Sequence, residues 1–289
     1  MRSSLASFSI GIVGAFAIAI PAPAAAQGAS FPDATNTGVP AGTVLTVVRG
    51  NQTFATSGQV ISGLDVHGKV VIKANNVTLK NSIVRGPAAG PCVNGAAIEV
   101  HGTGFMIQDV EVMIENPTAC LDGISAFNSS GTILRANIHG GVDGIKTGSD
   151  ILVQDSYIHD MQWFASDPNQ GGGATHNDGV QTFAGDANVT LRHNTIDMST
   201  TKDANAAWQS SGYNSRAENN YLDGGGCTIN FAAHGSKLQP MYVNNNHFGR
   251  NRGFKGCVAL ISMMTVMTEY NGNVWHDTLL PVPIYQKHD

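Results

Sequence analysis

The densest group of side chains able to move protons or hold charge lies in one short run, HNDGVQ at 176–181. It sets the His176 imidazole, the Asn177 amide, the Asp178 carboxylate and the Gln181 amide at the entrance to an alternating apolar segment. Histidine is the ready general base near neutral pH. His139, His159 and His193 fall in neighbouring repeats, and Lys146 sits in the related phrase DGIKTG (143–148). These residue types suit removal of a proton beside a carboxylate. That chemistry needs a neutraliser for the carboxylate, a base, and an acid for the leaving oxygen. Lys146 or His176 is read as the base, His159 or Tyr213 as the acid, and Asn177 with Gln181 as the neutraliser; His139 stands with the binding residues.

A second column of charge is visible in Asp122, Asp143 and Asp178, each of which opens an Asp-Gly-Ile or Asp-Gly-Val phrase. Such pairs also start turns, so a purely structural role is an equal alternative. Stacked carboxylates repel one another unless a cation, a bound proton or hydrogen bonds intervene. The cation expected at Asp143 and Asp178 is Ca²⁺, which favours hard oxygen ligands. Two stretches, 160–177 and 198–214, read as long loops that return to the Asp178 neighbourhood, and long loops in compact domains tend to carry function. Trp163, Phe164, Trp208 and Tyr213 lie in them. Trp163 and Trp208 are expected at the surface, facing sugar rings, with packing against the body of the fold as the alternative.

The elements that must position these residues come from a degenerate repeat. Phrases such as NNVTLKNSIVRG (75–86), SDILVQDSYIHD (149–160) and ANVTLRHNTIDM (187–198) each join two short alternating segments through a polar turn. A second phrase precedes many of them, as in AAIEV (96–100), DGIKTG and DGVQTF (178–183). Alternation over four to six residues predicts short strands, and recurrence at roughly 20–30 residues predicts a solenoid. Ile98, Ile124, Ile145, Val180 and Ile229 then point inward as one ladder; Glu99, Ser125, Lys146, Gln181 and Asn230 point outward. Asn81, Asn137, Asn194, Asn219 and Asn245 are expected in the turns. A propeller or sandwich is the weaker alternative, because both prefer hairpin turns.

Bulk properties set the outer limits. The chain has 289 residues, 13% charged, with net charge −5, which gives no basic footprint for nucleic acid. Residues 1–26 combine a basic start, an apolar run and a small-residue site, the pattern of a secretory signal peptide, and no later segment reads as a membrane span. The remainder, 27–289, reads as one domain with a capping segment at 27–57. Four cysteines fall as two pairs, Cys92 with Cys120 and Cys227 with Cys257, each separated by about one coil and a loop. Disulfides are expected for an exported chain, and zinc is disfavoured by the lack of Cys-x-x-Cys.

Over residues 60–275 this repeat resembles that of right-handed parallel β-helix proteins, the group that includes pectate and alginate lyases, uronan epimerases and polygalacturonases. The resemblance implies an all-β, single-domain, right-handed parallel β-helix of about eight coils. It also implies an extracellular carbohydrate polymer as substrate. An acidic-glycan lyase acting by β-elimination is the leading expectation. A β-helix glycoside hydrolase using Asp143 and Asp178 is the second, and a noncatalytic glycan-binding or surface-structural solenoid the third. No single family's motif set is matched: Asn177-Asp178-Gly179 and Ala233-His234-Gly235 echo polygalacturonase elements, without a paired Asp-Asp. A monomer in the periplasm or the medium is expected, with a polysaccharide as its partner.

Overall fold

The computed structural model describes residues 30–92, 94–233, 237–284 and the backbone of 286–288. Residues 1–26, read as a signal peptide, and His234 lie outside the described residues. Among the described residues the fold is all-β, with one short 3₁₀ turn at Pro168–Gln170. The strands form a 17-stranded and a 10-stranded sheet. Every strand pairing in both is parallel. Long parallel sheets without a closed barrel are compatible with a parallel β-helix. No helix among the described residues is long and apolar enough to cross a membrane.

The smaller sheet carries the inward ladder. Ile98, Ile124, Ile145, Val180, Trp208, Ile229 and Ala259 stand in successive register and are all fully buried. Trp208 is therefore a core residue rather than an exposed sugar platform. The stretch 198–214 is no continuous loop either, since the strand Ala206–Ser210 runs through it. The segment AAWQS lacks the aliphatic pattern of its neighbours; one indole fills the volume that Ile or Val fills elsewhere, edge-on to Phe231 at 4.9 Å. Residues read as a cap also contribute strands: Thr46–Arg49 and Gln52–Phe54 pair into the two sheets.

In the larger sheet, paired strands flank a sharp turn whose first residue is left-handed. Asn81, Asp109, Arg135, Asp155, His193, Asn219 and Asn245 all adopt positive φ there. Asn137 and Asn194 were expected in this role, but Arg135 and His193 take it. Asn137 lies on the strand Asn137–His139, and Asn194 is buried one residue past the turn.

That next position forms a buried amide ladder. Ser156 N–H donates to Asn194 Oδ1 at 2.9 Å, Asn194 N–H to Asn220 at 2.8 Å, Asn220 N–H to Asn246 at 2.9 Å, and Asn246 N–H to Asn273 at 3.0 Å. Each side-chain NH₂ in turn donates to a backbone carbonyl of the preceding rung, Asn220 to Leu191 and Asn246 to Ala217. The turn bends the chain away from the sheet ladder, so its N–H groups need these acceptors.

Both cysteine pairs are disulfide-bonded, Cys92–Cys120 and Cys227–Cys257, with Cα atoms 5.3 and 4.9 Å apart.

Replacing Asn220 with Ala would leave the buried Asn194 N–H without its acceptor and remove a side-chain donor from the Leu191 carbonyl. Urea unfolding should show a loss of about 2–4 kcal/mol, since each unsatisfied buried group costs about 1–3 kcal/mol. A loss under about 0.5 kcal/mol, typical of a surface site, would contradict a structural role for the ladder.

Candidate active site

The outer face of the smaller sheet presents a polar column one residue along from the inward ladder. Glu99, Ser125, Lys146, Gln181, Gln209, Asn230 and Leu260 are in direct register. The expected outward set is present, with Gln209 and Leu260 extending it. Gln181 is half-buried in mid-column.

At the strand entrances stands the acidic column, and it is buried rather than presented. Asp178 is 0% exposed and Asp143 3%. The carboxylates are knitted into the backbone: Asp143 N–H donates to Asp122 Oδ1 at 3.2 Å, and Asp178 N–H to Asp143 Oδ1 at 2.8 Å. Lys146 Nζ bridges the first two, 2.7 Å from Asp122 Oδ2 and 3.2 Å from Asp143 Oδ2. Asp178 Oδ1 accepts from the Asn205 amide at 2.8 Å, while its Oδ2 is buried without a hydrogen-bond partner.

Burial, then the Asp122 charge, raises Asp143 to about 7. Burial and the Asp143 charge push Asp178 well above the usual carboxylate range. Burial also raises Asp122, against the pull of Lys146. For Lys146, burial pulls the ammonium down, but Asp143 and Asp122 outweigh it and hold it above the ordinary lysine range. An amine held charged in this way is a poor proton acceptor, so the base role expected for Lys146 does not fit its surroundings. Calcium fits poorly too, because the ammonium already bridges Asp122 and Asp143. Among the described residues no group of three or more His, Cys, Asp or Glu side chains is placed to hold a metal ion.

Asn177 is wholly committed to structure. It is buried, its NH₂ donates to the Val142 and Gln162 carbonyls at 2.7 and 2.8 Å, and its oxygen accepts from Thr175. It anchors the 160–177 loop and cannot also meet a substrate. In that loop Trp163 is half-buried, with Lys202 Nζ 3.8 Å from its ring centroid, so it joins the two loop regions rather than standing free.

His139 and His159 lie on the larger sheet. They stack at 5.1 Å; His139 pairs with Glu111, and His159 bonds Asp160 at 2.7 Å and Asn137 at 3.0 Å. Burial keeps the His159 imidazole below its ordinary range. Tyr213 lies past the far end of Ala206–Ser210, beneath Lys237, and lines a separate cavity of about 260 Å³. Neither Tyr213 nor His159 lines the same cavity as His176.

His176 is exposed and lines a groove of about 700 Å³ beside Asp178. Its polar lining also includes Thr201, Asp203, Asn205, Asn230, Asn251 and Arg252, so one carboxylate faces the groove, with Phe254 and Leu260 as apolar surface. Asn205 links groove to ladder, bonding Asp178 on one side and accepting from Asn230 at 3.4 Å on the other. Arg252 donates Nη2 to the Gly249 carbonyl at 2.6 Å and stacks on Trp275, yet its Nε is buried with no hydrogen-bond partner. Burial draws this guanidinium below the usual arginine range, against the Asp223 charge. The Cys227–Cys257 disulfide ties together the two segments that form this wall.

Sequence reading gave Asn205, Asn251, Arg252 and Phe254 no role. The available signal was the basic run GRNRGFKG (249–256) enclosed by the second cysteine pair.

Compared with protein-family models, curated proteins and solved structures, the chain finds no match in any of the three. The chemistry of the groove therefore has to be argued from its own side chains.

Replacing Lys146 with Met leaves two buried carboxylates facing each other. Chemical unfolding at pH 7 should show a loss of about 3–5 kcal/mol, the usual result of breaking a buried pair. The carboxyls have raised values in the fold. Their neutral forms therefore stabilise it at low pH, and that contribution fades as pH rises through about 7. The loss should accordingly shrink at pH 5. An equal loss at both pH values would contradict the charged-ladder assignment.

Proposed function

We propose that this chain is an exported right-handed parallel β-helix of about eight coils that cleaves an acidic, uronate-containing polysaccharide by β-elimination. The observation that carries the reading is the groove lined both by an exposed imidazole, His176, and by Arg252, a guanidinium that makes no ion pair among the described residues although the Asp223 charge acts on it. Arg252 and the Asn230 amide would bind the C6 carboxylate and stabilise the charge that develops when C5 loses its proton. Neutral His176 would take that proton. The electron pair would form the C4–C5 double bond and expel the C4 oxygen, which takes a proton from solvent in the open groove. Phe254, 60% exposed, offers an apolar face for a sugar ring. Lys146, Asp122, Asp143 and Asp178 would hold the floor rather than react.

Hydrolysis by Asp143 and Asp178 has less support, because both carboxyls are buried and bonded to the ladder. Two disulfides suit an exported chain.

The test is incubation of the purified protein with alginate, polygalacturonate, glucuronan, glycosaminoglycans and neutral polymers, following reducing ends and the ultraviolet absorbance of unsaturated uronate together. Both should rise on one acidic polymer. His176→Ala should lower kcat by about 10²–10⁴, the range for losing a general base. Arg252→Ala should lower kcat/KM by about 10²–10³, as for losing a charge-stabilising donor. Reducing ends without absorbance would replace the lyase by a hydrolase. Binding without any cleavage would favour the noncatalytic solenoid.

A further inference from the structure

The outer face of the larger sheet carries a feature that the groove does not use. Phe31, from the segment preceding the first strand, sits among four rings drawn from successive rungs. Its ring centroid lies 6.1 Å from His193, 5.9 Å from Tyr221, 5.0 Å from His247 and 5.8 Å from His276. Pro32, Thr37 and Gly38 of the same segment are buried. Gly38 N–H donates to the Arg135 carbonyl at 2.9 Å, and a Cβ at Gly38 would touch Asn137. Residues 31–38 thus form a strap that ties the start of the chain to strands near its end.

Two of the four rings face each other nitrogen to nitrogen, with His247 Nδ1 3.3 Å from His276 Nδ1. One proton fits between two such nitrogens, so the contact is a hydrogen bond while at least one ring is neutral. With both rings protonated, two N–H groups and two positive charges would meet at that distance.

We infer that the 31–38 strap is a pH-released clasp, held while the His247–His276 contact keeps a shared proton and freed when both rings are charged.

Neither ring has a carboxylate partner among the described residues, although His276 is exposed to solvent. Burial, then the His276 charge, lowers the proton affinity of His247. The acids of this face have other partners: Asp155 bonds His193 at 2.6 Å, Asp197 accepts from the Ser199 N–H at 2.9 Å, Asp223 bonds the Tyr221 hydroxyl and Asn251, and Asp277 pairs with Arg250. Asp33, in the strap itself, is held below the usual carboxylate range by Thr35, so it stays charged well below the imidazole range and is not the trigger. A lowered imidazole value means that the unfolded or detached state binds the proton more readily. The docked state is therefore favoured above the ordinary imidazole value of ~6.5 and loses ground as pH falls below it. Release uncovers the faces of Tyr221 and His247.

Hydrogen exchange of the whole protein, read on peptides covering 31–40 and corrected for intrinsic rates, tests this between pH 7.5 and 5.0. In the native chain, protection of the strap should fall at least about tenfold more than that of the Asp178–Thr182 strand, a factor equivalent to ~1.4 kcal/mol of opening free energy. His276→Gln and His247→Gln each remove one of the two charges and should keep the strap protected across the range. Phe31→Ala should leave it unprotected at every pH, with the sheets intact. Unchanged protection of the native strap at pH 5.0 would overturn the inference. So would an equal acid-induced loss in the two Gln variants, since the trigger would then lie elsewhere.

Discussion

Parallel stacking makes every turn recur on top of its neighbour, and the Asn194–Asn220–Asn246–Asn273 ladder is the form in which this chain meets that constraint. A turn that leaves the sheet exposes backbone N–H and C=O groups to the interior, where water cannot reach them. One asparagine per rung supplies an acceptor to the rung before it and donors to a carbonyl. The preceding residue must take positive φ, which explains the run of Asn and Asp at that position and makes Arg135 and His193 the less ordinary occupants. With the turn fixed, strand register follows, and with it the side of the sheet on which each side chain emerges.

The smaller sheet applies the same logic to charge. Stacked strand entrances bring Asp122, Asp143 and Asp178 into one column, and a single lysine reaches back to bridge two of them. That column supports Asn205, through it Asn230, and so one wall of the groove. Further lining comes from the segment closed by Cys227–Cys257, which carries Arg252 and Phe254. The groove is thus assembled from a sheet face and connections tied to it by hydrogen bonds and a disulfide.

Much of this was legible in the residues. Period-two alternation in AAIEV, DGIKTG and DGVQTF set the inward ladder and the outward column, because a strand leaves only two directions for a side chain. Cysteine spacing gave both disulfides. What escaped was whatever breaks the local pattern. Trp208 was assigned to a loop because AAWQS has no aliphatic alternation, although an indole fills a rung as well as isoleucine does. Asn177 looked available because it adjoins the exposed His176, yet it opens the run 177–180 that is buried throughout, and its amide is bonded to the Val142 and Gln162 carbonyls. Histidine clustering in sequence did not survive folding: His139 and His159 emerge on the larger sheet while His176 lines the groove. Arg252 was missed because the basic run GRNRGFKG lies outside the repeat phrases, and part of the groove it lines, at 198–205, is distant in sequence.

The proposed function places an acidic polymer in the groove lined by His176 and the 198–205, 225–230 and 251–254 segments. Its most direct measurement is a hydrogen-exchange footprint of the His176→Ala protein with and without oligomers of the polyuronate it binds. Slowed exchange confined to those segments and the residues around position 176, and lost on Arg252→Ala, is the predicted result. Slowed exchange on the larger sheet, or at the Arg49, His67 and Glu115 cavity, with the groove unchanged, would contradict it.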